Sequence, residues 1–138
     1  MARTGVLASD ERLLLEEVIA AFQASTGLPL ELVGDPGGGG ASTSLRLALT
    51  LEPGMPARLY RPLVHRVDQA ETLGSIKAEL QESQEPGVLV TRSLSGALAR
   101  QSRAMEVPFM DGQGNAYLRE QGVLILVMGQ RRNQAGQG

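Results

Sequence analysis

Few side chains in this chain are able to do chemistry. There is one histidine, His65, set between Val64 and Arg66. A general base needs a positioned partner, and no carboxylate or nucleophile nearby in sequence makes a recognisable constellation with it. One histidine also cannot form a histidine-based metal site. Cysteine is absent, which removes disulfides, thiolate catalysis and cysteine zinc sites together. Asp35 and Glu52 lie near strand ends in the first half, and two acids brought together could hold magnesium. Both sit in Pro-Gly turns, where carboxylates also satisfy turn amides, and that structural role is the favoured reading. Arg58, Arg61 and Arg66 fall on or beside one expected strand, with His65 among them and Arg46 on the neighbouring strand. This set is the candidate contact for nucleic-acid phosphates; its plainer role is the solvated face of a half-exposed strand. No catalytic residue is assigned.

Two glycine-rich stretches invite a phosphate-binding reading and do not support it. Residues 34–44 carry four consecutive glycines, but a P-loop needs a Lys-Ser/Thr pair opening a helix, and a strand follows here. The stretch reads as a mobile connection. Gly112-Gln-Gly114 is too short for a dinucleotide fingerprint and also precedes a strand. It reads as a turn whose amides Asp111 and Asn115 are suited to bond.

The elements that must position these residues are legible from periodicity. Ser9 can cap a helix running to about Ser25, with Leu14, Val18, Ala21 and Phe22 as its buried stripe. Asp10 and Glu11 favour its first turn, and Gly27 and Pro29 end it. Leu30 to Val33 is a short strand. Leu45, Leu47, Leu49 and Leu51 alternate with polar or small residues, the clearest period-two strand. Residues 52–56 make a turn, and Ala57 to Val67 returns antiparallel, with Pro62 implying an edge or a bulge. Asp68 and Glu71 have capping-box spacing for a second helix with Leu73, Ile76 and Leu80 inside. Val88, Leu89 and Val90 read as a strand covered on both faces. Ser93 or Ser95 caps a third helix with a stripe of Leu94, Ala97, Leu98, Gln101 and Met105. Val107 to Met110 is another strand, completing a right-handed βαβ unit. Ala116 to Arg119 and Val123 to Met128 form a closing hairpin around residues 120–122. The second of these is apolar throughout and so reads as a central strand. The fold class is α/β, a mixed sheet flanked by helices.

Bulk properties narrow the function classes. At 138 residues the chain is one domain, expected over residues 1–129, with residues 130–138 a polar tail or linker. Net charge is −2 and aromatics are 3%, which argues against a dedicated nucleic-acid binder and against base stacking. No signal peptide is expected from the first residues and no apolar run reaches membrane-spanning length, so a cytoplasmic protein is expected.

The phrases Pro86-Gly-Val-Leu-Val-Thr91, Leu94-Ser-x-Ala97-Leu-Ala and Val107-Pro-Phe-x-Asp111-x-x-Gly114-Asn-Ala-Tyr-Leu118 resemble the bacterial abortive-infection type IV antitoxin (AbiEi-like) regulators. The resemblance spans roughly residues 9–132. It implies a restriction-endonuclease-like, PD-(D/E)XK-type domain, with a winged-helix DNA-binding domain usually following. That core runs α-β-β-β-α-β and, in active members, holds magnesium with an Asp on the second strand and Glu-x-Lys on the third. Here Ser42-Thr-Ser44 opens the second strand, and the third reads Leu59-Tyr-Arg-Pro-Leu-Val-His65. The acids and the lysine are missing. The expectation is therefore a pseudo-nuclease with no cofactor, an accessory domain of a DNA-associated transcription regulator or antitoxin-like protein. Its expected partners are DNA, through the winged helix, and a second copy or a toxin-like protein. The alternatives are a diverged metal-dependent nuclease, using Asp35 with Glu52 or another acid from the first helix such as Glu16 or Glu17, and a protein-interaction module unrelated to DNA.

Overall fold

The computed structural model describes residues 9–34, 45–120 and 123–129. Among these, α1 (Ser9–Thr26) precedes three strands, β1 (Leu30–Val33), β2 (Arg46–Leu49) and β3 (Arg58–Val64). Then come α2 (Ala70–Gln81), β4 (Gly87–Thr91), α3 (Gly96–Ala104), β5 (Phe109–Asp111), β6 (Ala116–Glu120) and β7 (Val123–Val127). Residues 35–44 of the expected mobile stretch, with Asp35, and the expected tail lie outside the described residues, as do the first eight residues and residues 121–122.

The seven strands lie side by side in chain order. β1, β2 and β3 form an antiparallel meander. β3 and β4 are parallel, as are β4 and β5, and β5, β6 and β7 are again antiparallel. Each parallel step needs a crossover, which α2 and α3 supply. Two crossovers of one hand stepping the same way place both helices on one face. Leu73 and Ile76 of α2 and Ala99 of α3 pack there with Leu63, Leu89, Phe109 and Tyr117. The opposite face belongs to α1, whose Leu14, Leu15, Val18 and Phe22 pack on Leu47, Leu49, Tyr60, Val88, Val90 and Met110. The mixed α/β class expected from periodicity is what forms, in three layers. None of the described helices is long and apolar enough to cross a membrane.

Several local expectations hold. Gly27 ends α1 at φ +77°, in the left-handed region that favours glycine. Ser95, not Ser93, caps α3, accepting from the Leu98 amide at 3.1 Å. β4 is buried along its whole length.

Four expectations are corrected. Pro62, expected at an edge or a bulge, lies in a strand that is between β2 and β4 in the sheet order. The Arg61 and His65 amides donate to Pro86 and Val90 of the β4 side, so the intervening Pro62 nitrogen faces β2. The β2–β3 ladder ends at Leu47 opposite Tyr60, short of Pro62, so no ladder bond is lost. Asp68 does not cap α2. The N-cap is Gln69, without a side-chain bond, and Asp68 pairs with Arg66 at 3.3 Å instead. On α3, Ala97 and Gln101 are exposed while Ala99 and Ser102 are buried; with nine residues and small side chains, period alone does not choose the inner face. Finally, β7 is an edge strand rather than a central one, pairing among the described residues only with β6.

The end of α3 carries one strained residue. Glu106 has φ +62°, and it is the residue after the C-cap. Its amide donates to the Arg103 carbonyl at 3.0 Å, and the Val107 amide donates to Ser102 at 2.8 Å. This is a Schellman termination with glutamate where glycine is usual. Glu106→Gly is expected to stabilise the fold by about 0.5–1 kcal/mol, the relieved strain being partly offset by a freer unfolded chain. A thermal melt checks this, and a lower midpoint would contradict it.

Candidate functional site

In sheets with parallel strands, ligand crevices form beyond the strands' carboxyl ends. Here those ends belong to β3, β4 and β5. His65 and Arg66 follow β3, and Arg92 and Ser93 follow β4. With the first turns of α1 they line a cleft of about 560 Å³ that Glu11 and Thr91 also border. Each basic side chain of the cleft has a carboxylate beside it. His65 Nε2 lies 3.4 Å from Glu79 of α2, Arg66 pairs with Asp68, and Arg92 reaches Glu17 of α1 at 3.4 Å. The His65 ring is thus tied to the α2 layer. Exposed pairs such as these contribute little to stability and can open to admit another anion.

The phosphate-contact set does not assemble as one surface. Strand pleat places alternate residues on opposite faces. Arg58 shares its face with Tyr60, the α1 side, whereas Arg61 shares the α2 side with Leu63. Arg46 lies on that same side and pairs with Glu85 at 2.6 Å. Arg61 stretches over Gly87, and its Nε is buried with no hydrogen-bond partner. Arg66 is exposed past the strand end, with Arg58 roughly 25 Å away at the other end of β3 at ~3.3 Å per residue. The strand is half-exposed as expected, with Leu59 51% exposed and only Tyr60 and Leu63 buried, but it lies between β2 and β4 in the sheet. Arg92 was not singled out from sequence, yet it shares the cleft with His65 and Arg66. Its signal was position, immediately after the most apolar strand.

Glu52 sits exposed in the turn after β2, its carbonyl accepting from Met55 at 3.1 Å. Asp35 lies outside the described residues, in the segment that joins the other end of β2. Glu16 pairs with Arg12 at 3.6 Å, while Glu17 faces Arg92. Among the described residues no group of three metal-ligating side chains forms.

The most polar buried cluster lies at the end of β5. Asp111 is fully buried and accepts four hydrogen bonds. They come from the amides of Gln113 (2.9 Å), Asn115 (3.0 Å) and Leu94 (3.2 Å), and from the Asn115 side chain (3.1 Å). The Gly112 amide donates to the Arg92 carbonyl at 2.9 Å, and a Cβ on Gly112 would meet that same oxygen at 2.9 Å. Ser25 of α1 donates to the Gly114 carbonyl at 2.7 Å. One turn therefore ties α1, the β4–α3 loop and the β5–β6 hairpin together. The expectation that Asp111 bonds the turn amides is met, and the carboxylate also holds an amide from a separate loop.

These features define a mixed α/β domain with a cleft of charge-balanced basic and acidic side chains at the carboxyl end of its parallel strands. Comparison with known proteins yields no relative: no family model, no curated protein and no solved structure matches the chain.

Proposed function

We propose that the chain is a catalytically silent, nuclease-like domain of a DNA-associated regulator or antitoxin-like protein, acting through protein contact and weak contact with the DNA backbone. The observation that carries this reading is β3. Leu59, Arg61 and Leu63 alternate with Tyr60, Pro62 and Val64, so neither face of the strand offers the carboxylate or lysine that metal-dependent phosphodiester cleavage would need there. The order α1, meander, α2 and parallel β4 agrees with the order that the resemblance implies. Its most specific stretch, residues 86–118, contains the Asp111 turn, whose carboxylate is engaged by four hydrogen bonds within the fold. The exposed Arg66 and Arg92 are the side chains suited to touch phosphate, and their pairing to carboxylates keeps that contact weak.

The test is a native gel of the purified chain with labelled duplex, single-stranded and branched DNA, with and without magnesium or manganese. No cleavage is expected. A shift confined to low salt is expected, with Arg66→Ala and Arg92→Ala each reducing the salt slope by about 1. Metal-dependent cleavage that follows the protein through purification would overturn the reading.

A further inference from the structure

β7 reads Val123-Leu124-Ile125-Leu126-Val127, a palindrome of apolar residues. It lies at the sheet edge, with Leu124 68% and Leu126 39% exposed. Edge strands are usually guarded by a charge, a proline or a bulge. The other edge follows that practice, because β1 carries the exposed Glu31 at its middle. β7 has no such guard.

We infer that β7 is a self-association edge, pairing antiparallel with β7 of a second copy across a two-fold axis at Ile125. A two-fold contact must be complementary to itself, and a palindromic strand meets that demand along its whole length. Val123 lies opposite Val127 of the other copy, Leu124 opposite Leu126, and Ile125 opposite Ile125. β1 paired in the same way about Glu31 would set glutamate against glutamate. Leu126 already walls a cleft beneath α3 with Ala99 and Met128. Leu124 of the second copy would lie against it and gather four leucines on that face. The nearest basic residue on β6, Arg119, stands opposite Leu124. In the pair, the two Arg119 residues would be three strand spacings apart and offset by two residues along the strands, roughly 16 Å, beyond the screening length of about 8 Å at physiological salt. Residues 130–138, which follow β7, contain one apolar residue, Ala135, and offer nothing to match this strand. The inference rests on β7 alone and is independent of the nuclease-like reading, because a mass measurement does not depend on cleavage or DNA binding.

The experiment is sedimentation equilibrium of the full chain up to roughly 100 µM, a concentration at which a Kd of ~10 µM leaves most chains paired. Twice the chain mass of 14.6 kDa is expected. L124K is expected to weaken association by about 30-fold or more, since the two-fold repeats the loss at two leucine pairs. The double variant L124K/L126E is expected to associate again, because the proposed register sets Lys opposite Glu twice. L124K/L126K is expected to stay monomeric. A monomeric wild type at the highest concentration overturns the inference. So does a dimer that L124K leaves intact. A double variant L124K/L126E that stays monomeric while keeping its native circular dichroism spectrum overturns the register.

Discussion

Asp111→Ala is expected to destabilise the chain by about 3–5 kcal/mol, because it strips the partner from several buried donors at once. The Leu94, Gln113 and Asn115 amides and the Asn115 carboxamide all point at this carboxylate, and the alanine methyl cannot accept from them. Domains of this size are stable by only about 5–15 kcal/mol, so the variant should unfold in much less denaturant. Asp111→Asn keeps the shape but turns an NH2 group toward N–H donors, and about 2 kcal/mol or more should be lost. Urea denaturation reads both. A loss below about 1 kcal/mol for the alanine variant would mean that the turn is held by its backbone and by Ser25 rather than by the carboxylate.

Leu89→Ala is the second large effect, with an expected loss of about 2–5 kcal/mol. Leu89 is fully buried at the middle of β4, paired with Leu63 on one side and Phe109 on the other. Removing its isobutyl group opens a cavity between the sheet and the α2–α3 layer that surrounding strands cannot collapse into. Leu124→Ala in β7, where the side chain is mostly exposed, is its internal control. At low concentration it should cost under about 0.5 kcal/mol. Equal losses at the two positions would contradict the placement of β7 at the edge.

That pair also shows where sequence reasoning succeeds and where it stops. Val88-Leu-Val90 and Val123-Leu-Ile-Leu-Val127 look alike as text, and both read as strands covered on two faces. One is central and the other is at the edge. Hydrophobicity reports that a residue favours burial, but which neighbours a strand receives depends on long-range pairing. Pro62 shows the same limit. A proline argues against an interior strand only if its nitrogen faces a neighbour, and that depends on a ladder that stops two residues short of it.

The candidate site divides similarly. The Asp111 turn was readable, because turn chemistry is local and Asp-Gly-x-Gly-Asn constrains it directly. The arginines were not. Their number and sequence positions are plain, but Arg58 and Arg61 fall on opposite faces, and Arg46 is held by Glu85 from a distant loop. Arg92 joins His65 and Arg66 only because β3 and β4 are parallel and end together.

By itself, the sequence determined the kinds and order of elements, the Gly27 helix end, the apolar residues of α1, α2 and β4, and the absence of a carboxylate from β3. Each follows from interactions within a few residues, or from composition. The tertiary structure alone decided that β3 is interior, that β7 is an edge, which face α3 buries, and which basic side chains share a cleft. Those properties depend on contacts between residues far apart in the chain, where the free energy comes from shared burial and pairing rather than from local conformational preference.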